Sequence, residues 1–203
     1  MPTQELRTTK LEAVNSMLAC VGESPINTLE GTLPANIQIA VDLLRNTSRH
    51  IQTRGWNFNT EEDVELSRDS DGKIPLPGNC LDVDLTTEDG TVDVIMMGDF
   101  LYDKLNHTFV FGANQKCTII YFRAWEELCE AARGYIKVSA ARIYQDQTVG
   151  SETHHQFSAQ DEAMAFSVLN SSNAESCDAT IFDTAQMAGI VNRRRPLVTQ
   201  FPN

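Results

Sequence analysis

Cysteine is scarce and oddly counted. The five thiols, at positions 20, 80, 117, 129 and 177, include no pair at the two-residue spacing of zinc or dithiol redox motifs. They predict reduced core thiols of a protein made inside a cell, with no disulfide framework. Cations are also few. Lys plus Arg is 16 against 28 Asp plus Glu, a net charge of −12, and so acidic a surface repels phosphate backbones instead of releasing their counterions. A DNA-gripping protein is excluded on that ground. Long apolar runs are missing: the first ten residues, MPTQELRTTK, lack the core of a signal peptide, and nothing approaches the ~20 apolar residues of a membrane span. A soluble product without membrane attachment is expected.

Catalytic signatures are missing as well. There is no G-x-S-x-G, no G-x-x-x-x-G-K and no G-x-G-x-x-G, so nucleophile elbows, phosphate loops and dinucleotide folds have no sequence support. His50 and His107 lie in separate segments, and His154-His155 cannot both point one way on a helix; with no H-E-x-x-H or Cys partner, no metal and no cofactor is expected. Asp69, Asp71 and Gly72 resemble the start of a calcium loop but lack its later Gly and Glu, which leaves a surface turn. Asp82 and Asp84 share one face of a strand, a spacing that suits either a glycosidase carboxylate pair or the solvent face of an acidic sheet. Met96-Met97 with Phe109, Phe111, Tyr121 and Phe122 reads as core or interface on strands more readily than as a ligand pocket.

The present features order the chain. Thr9-Lys10-Leu11-Glu12 is a capping box that opens a helix with Leu11, Val14, Met17, Leu18 and Val21 on one face and Gly22 as its stop. A second helix runs through Ile37, Ala40, Val41, Leu44, Ser48 and Ile51, entered at Pro34 and closed by Arg54-Gly55. From Trp56 to Arg123 the period falls to two and turn signals multiply, predicting strands at 64–66, 81–85, 91–97, 109–111 and 118–122. Helical period resumes at Ala124 through Trp125, Leu128, Ala132, Tyr135, Ser139 and Ile143. A weaker fourth stripe follows at Phe157, Asp161, Met164 and Val168, and the pattern collapses after Asn170. The expected class is α+β: a four-helix bundle from 1–55 and 124–175, an antiparallel β-sheet insertion at 56–123 between helices 2 and 3, and an extended C-terminal arm at 176–203.

Charge divides unevenly over these parts. Residues 1–55 carry 5 basic and 5 acidic side chains, 56–123 carry 5 and 13, 124–175 carry 3 and 8, and 176–203 carry 3 and 2. The acidity thus belongs to the sheet and the later helices. The dense basic cluster, Arg193-Arg194-Arg195, sits on the arm, which has no periodic apolar face of its own; with Ile190, Val191, Leu197, Val198 and Phe201 it suggests a peptide ordered by an acidic partner. Gly55-Trp56 reads as a structural hinge: Gly permits the positive φ that ends the helix, and Trp anchors the sheet on the helices.

Several stretches resemble one family. Leu11 to Asn15, Met17-Leu18, Val21 to Pro25 and Thr28 to Gly31, then Ile51 to Asn59, strongly resemble tail tubular protein A of short-tailed bacteriophages; Thr118 to Ile120, Glu127-Leu128 and Ala131 to Arg142 match it less closely. The resemblance implies a structural virion protein and not an enzyme, assembled in the host cytoplasm as a twelve-subunit ring between the portal protein and the tail nozzle protein, tail tubular protein B. DNA would pass through such a ring without specific binding, and a net charge of −12 per subunit suits that role because each phosphate held would add a barrier to ejection. On this reading Arg193, Arg194, Arg195, Leu197 and Phe201 contact the portal. The competing readings are a tail-associated glycosidase acting on host surface polysaccharide through Asp82 and Asp84, and a solitary small-molecule-binding α+β domain.

Overall fold

The computed structural model of the chain describes residues 7–86, 92–150 and 152–176. It is α+β, with four helices and two small antiparallel sheets. Helix α1 spans Lys10–Cys20 and α2 spans Ala35–Gln52; strands β1 (Thr60–Leu66), β2 (Cys80–Leu85), β3 (Val94–Met97), β4 (Phe100–Asp103) and β5 (Gln115–Tyr121) follow, then α3 (Glu130–Thr148) and α4 (Glu152–Ser176). The first helix starts as its capping box requires. The Thr9 hydroxyl accepts the Glu12 amide at 3.1 Å and the Glu12 carboxylate accepts the Thr9 amide at 2.7 Å. That backbone hydrogen bond, with the hydroxyl's, holds the Glu12 carboxyl below its usual value. At the other end Gly22 takes φ +78°, the left-handed stop.

One core lies among the helices. Val14, Met17 and Leu18 of α1, Ile37, Ala40, Leu44 and Ile51 of α2, and Ala132, Ile136, Ala140 and Tyr144 of α3 bury together with Trp56, Trp125, Leu128 and Leu169. The second core belongs to the strands: Leu66, Ile74, Val83, Val94, Leu101, Phe111, Cys117 and Ile119. In the larger sheet the order is β1-β5-β2, so the last strand is the central one. Val83 stands opposite Ile119, and Val64 and Leu85 flank Cys117, all directed inward; Glu65 opposite Lys116 and Asp84 opposite Thr118 fall on the other side, as the two-residue period demands. A bulge between Glu61 and Val64 puts Asp63 at φ +57°, a conformation that Asp tolerates better than most residues.

Several expectations need correction. The run 109–111 is not a strand. The chain turns after Asp103, with His107 at φ +53°, and Phe111 sinks into the second core while its amide bonds to the Gly72 carbonyl at 2.9 Å. The unforeseen strand is β4, which pairs with β3 across the Gly98-Asp99 turn. Helical structure does not run on from Ala124: residues Trp125–Glu127 form one 3-10 turn, and α3 begins only at Glu130. Of the thiols expected in the core, Cys117 is buried, Cys80 and Cys129 are half-buried and Cys20 is exposed; Cys177 lies outside the described residues.

Helix α4 departs most. It continues through the segment read as collapse as far as Ser176, where the described residues stop, and Asn57 holds this stretch: the Asn57 amide donates to Asn173 Oδ1 at 2.8 Å and Asn57 Nδ2 to the Ser176 carbonyl at 2.7 Å. Its inward face is also one residue away from the expected stripe. Met164 and Val168 are 69% and 60% exposed, whereas Glu162, Phe166, Leu169 and Asn173 meet the rest of the protein. The inner position at 162 is a carboxylate, which accepts from Ser139 Oγ at 2.6 Å and Arg142 Nε at 2.5 Å, so a hydrophobic stripe could not reveal it. Leu169→Ala should cost about 2–4 kcal/mol in urea unfolding while Val168→Ala stays within about 0.5 kcal/mol; the opposite ranking would restore the original stripe.

Candidate interaction surfaces

Two fully buried amides join helices to sheet. Gln52, at the end of α2, accepts the Arg123 amide on Oε1 at 2.7 Å and donates through Nε2 to the Arg123 carbonyl at 3.1 Å and Ser48 Oγ at 2.9 Å. Asn59, just before β1, accepts the Trp56 amide at 2.8 Å and donates to the carbonyls of Gln52 at 3.0 Å and Tyr121 at 2.8 Å. Every polar atom of both side chains is thereby used. The entrance of the sheet at β1 and its exit after β5 are tied to one helix end. Gly55 and Trp56 lie inside this joint. Gly55 has φ +71°, and Trp56 is buried with its indole N–H on the Ile51 carbonyl at 2.8 Å and Phe166 edge-on at 6.3 Å.

A buried cation pins the connection that leads from the joint into α3. Arg133 donates from Nε to the Leu128 carbonyl at 3.0 Å, from Nη1 to Thr8 at 3.0 Å and from Nη2 to Glu126 at 2.8 Å. The Trp125 indole shares the Thr8 carbonyl at 3.0 Å. This guanidinium therefore satisfies carbonyls that the short 3-10 turn leaves open. Gln52, Asn59 and Arg133 are polar residues at core positions, which a reading by apolar period passes over.

The proposed sequence sites fare differently. Asp82 and Asp84 are exposed on either side of buried Val83, each accepting its following residue's amide on Oδ1, at 3.0 and 2.8 Å. They stand on the exposed face of β2, opposite the buried Val83. Asp69 closes its turn by accepting the amides of Asp71 at 2.9 Å and Lys73 at 2.8 Å. His50 and His107 are exposed and separate, and among the described residues no three His, Cys, Asp or Glu side chains gather as a metal site. The Cys117 thiol is pushed up to about 11, by burial first and then by the Asp84 carboxylate, so it remains an unreactive thiol. Among the described residues, no helix is long and apolar enough to cross a membrane. Arg193, Arg194, Arg195, Leu197 and Phe201 lie outside the described residues.

What these residues build is a set of surfaces. The pattern that defines tail tubular proteins matches residues 11–179, across the helices, the joint and both sheets. The chain belongs to the tail tubular protein family. It is thus a structural component of a phage tail, and no curated protein matches it. It carries strand-borne carboxylates outward (Glu61, Glu62, Asp63, Glu65, Asp82 and Asp84 are all exposed), while Arg45 and Arg49 are exposed on α2 and Arg54 just after it. Arg49 stacks over Phe122 at 5.7 Å and Arg54 over Phe166 at 5.3 Å.

Two outcomes follow from the joint and the hairpin. A Cβ on Gly55 would stand 2.8 Å from Ile120 Cδ1; together with a left-handed φ this should make Gly55→Val cost about 2–4 kcal/mol, read as a lowered urea midpoint. Unchanged stability would leave Gly55 without a structural role. Asp103, buried at the end of β4, accepts the amides of Leu105 and Asn106 at 3.0 and 3.1 Å and the Asn106 side chain at 2.7 Å. Burial pushes its carboxyl up, but the Asn106 and backbone hydrogen bonds outweigh burial and leave it below the ordinary 3.8. Its stabilisation is therefore complete above that ordinary value and lost as pH falls through the lower folded value. Urea midpoints measured from pH 7 downward should fall less steeply below a pH of about 4 in Asp103→Asn than in the parent; parallel profiles would contradict this.

Proposed function

We propose that this tail tubular protein is the head-to-tail adaptor of a short-tailed phage. On this reading it forms a ring of twelve copies between the portal protein and the nozzle protein, tail tubular protein B, and the ring is part of the DNA ejection channel. The observation that carries the reading is the family match over 11–179, which spans the helices, the joint and the strands together. Charge supports it: a channel subunit of net −12 offers phosphates no counterion release and hence little to hold them. The helices then serve as a bundle that sets the ring, the strands as an insertion reaching a neighbouring subunit or the next ring, and Gly55-Trp56 as the structural hinge between them. Such a role asks for no catalytic residue and no cofactor, and it takes Asp82 and Asp84, both exposed, as the solvent face of an acidic sheet.

The segment expected as the C-terminal arm, 176–203, whose first residue Ser176 belongs to α4, is assigned to the portal through Arg193, Arg194, Arg195, Leu197 and Phe201. Planar guanidinium groups pair with carboxylates in two-pronged fashion, and an arm of this composition complements an acidic docking surface. Co-sedimentation with the portal protein tests both assignments. The full chain should bind as about twelve copies, and a chain ending at Ser176 should lose portal binding while its circular dichroism remains that of the parent. A full chain that stays single and unbound contradicts the adaptor reading, and undiminished binding by the shortened chain contradicts the role of the arm.

A further inference from the structure

Helix α4 lacks support of its own beyond Leu169. Residues 170–176 read Asn-Ser-Ser-Asn-Ala-Glu-Ser, and Asn and Ser are weak helix formers because their side chains compete for backbone hydrogen bonds. None of these side chains is buried: Ser172 and Asn173 are half-buried and the others are exposed. Helix in this stretch therefore has neither propensity nor a buried apolar face behind it, which places it at the low-stability end of the fold.

Asn57 supplies what is missing. Besides the bond from its amide to Asn173 Oδ1, its Nδ2 donates to the Ser176 carbonyl at 2.7 Å and to Ser176 Oγ at 3.0 Å, and that hydroxyl donates to the Asn173 carbonyl at 2.9 Å. Among the described residues, the hydrogen bonds that join 170–176 to the rest of the protein all come from Asn57. Asn57 is itself exposed, but its backbone is set by the joint, through Trp56 on the Ile51 carbonyl and Asn59 on the Trp56 amide.

We infer that Asn57 is a positioning residue for the chain beyond Ser176. While it holds Asn173 and Ser176, residue 177 starts beside the joint. When it lets go, 170–176 becomes part of the arm, which lengthens the free chain by up to about 23 Å at ~3.3 Å per residue and loosens its root. A fixed root lowers the ordering cost that the arm meets on docking. The positioning rests on the assignment of the arm to the portal; the hold on 170–176 does not.

Hydrogen exchange of the full chain, read on peptides covering 170–176, tests the hold, and co-sedimentation with the portal protein tests the positioning. In Asn57→Ala, exchange over 170–176 should quicken about fivefold to tenfold for the loss of the Nδ2 hydrogen bonds, while 10–52 and 130–148 keep the parent's rates. Ser171→Ala in the same chain, an exposed change to a stronger helix former, should slow that exchange again by about twofold; a role confined to the joint would not respond to it. Portal affinity of Asn57→Ala should fall about threefold to tenfold. Unchanged exchange over 170–176, quickening throughout the chain, or no response to Ser171→Ala would each overturn the inference. So would local quickening with undiminished portal binding where the chain ending at Ser176 has lost it, a result that leaves the arm assignment intact. Undiminished binding by both chains would overturn the arm assignment and the positioning together.

Discussion

Two buried amide side chains hold this architecture in register. Gln52 closes both backbone groups of Arg123, and Asn59 bridges the carbonyls of Gln52 and Tyr121; no described buried side-chain nitrogen or oxygen is left without a partner. Neutral hydrogen bonds contribute only about 1 kcal/mol each, but an orphaned buried partner costs about 1–3 kcal/mol. The joint is therefore directional in a way the two apolar cores are not. It fixes where the sheet leaves the helices and where the chain returns, and Arg123 extends it to the sheet surface by pairing with Glu61 and stacking on Tyr121.

What the sequence discloses follows from how local the physics is. Helices α1 and α2 are legible because a capping box and an apolar face lie within one contiguous stretch. Strand order is not: β5 sits between β1 and β2 although it comes last, a pairing set by partners 49–60 residues apart for β1 and 32–41 apart for β2. Helix α4 is misread where its inner face carries Glu162 and where its last carbonyls are met by Asn57, a residue far back in the chain. The joint falls within the stretch Ile51 to Asn59 that resembles the family, yet nothing in the apolar period marks Gln52 or Asn59 as buried.

The surfaces divide as a tail component's should. Carboxylates stand outward on the strands, arginines stand outward on α2, and exposed methionines crowd the hairpin end. The net charge of −12 repels phosphate instead of offering it a place to lodge.

The account stands or falls on where the protein sits in the particle. Electron cryo-microscopy of intact virions, with this chain fitted to the tail density, measures that directly. The account predicts a twelve-fold ring of this chain immediately below the portal, with the DNA path through its centre. Density for the chain at a fibre, at the distal tip, or in a copy number incompatible with a closed ring at that level would contradict it.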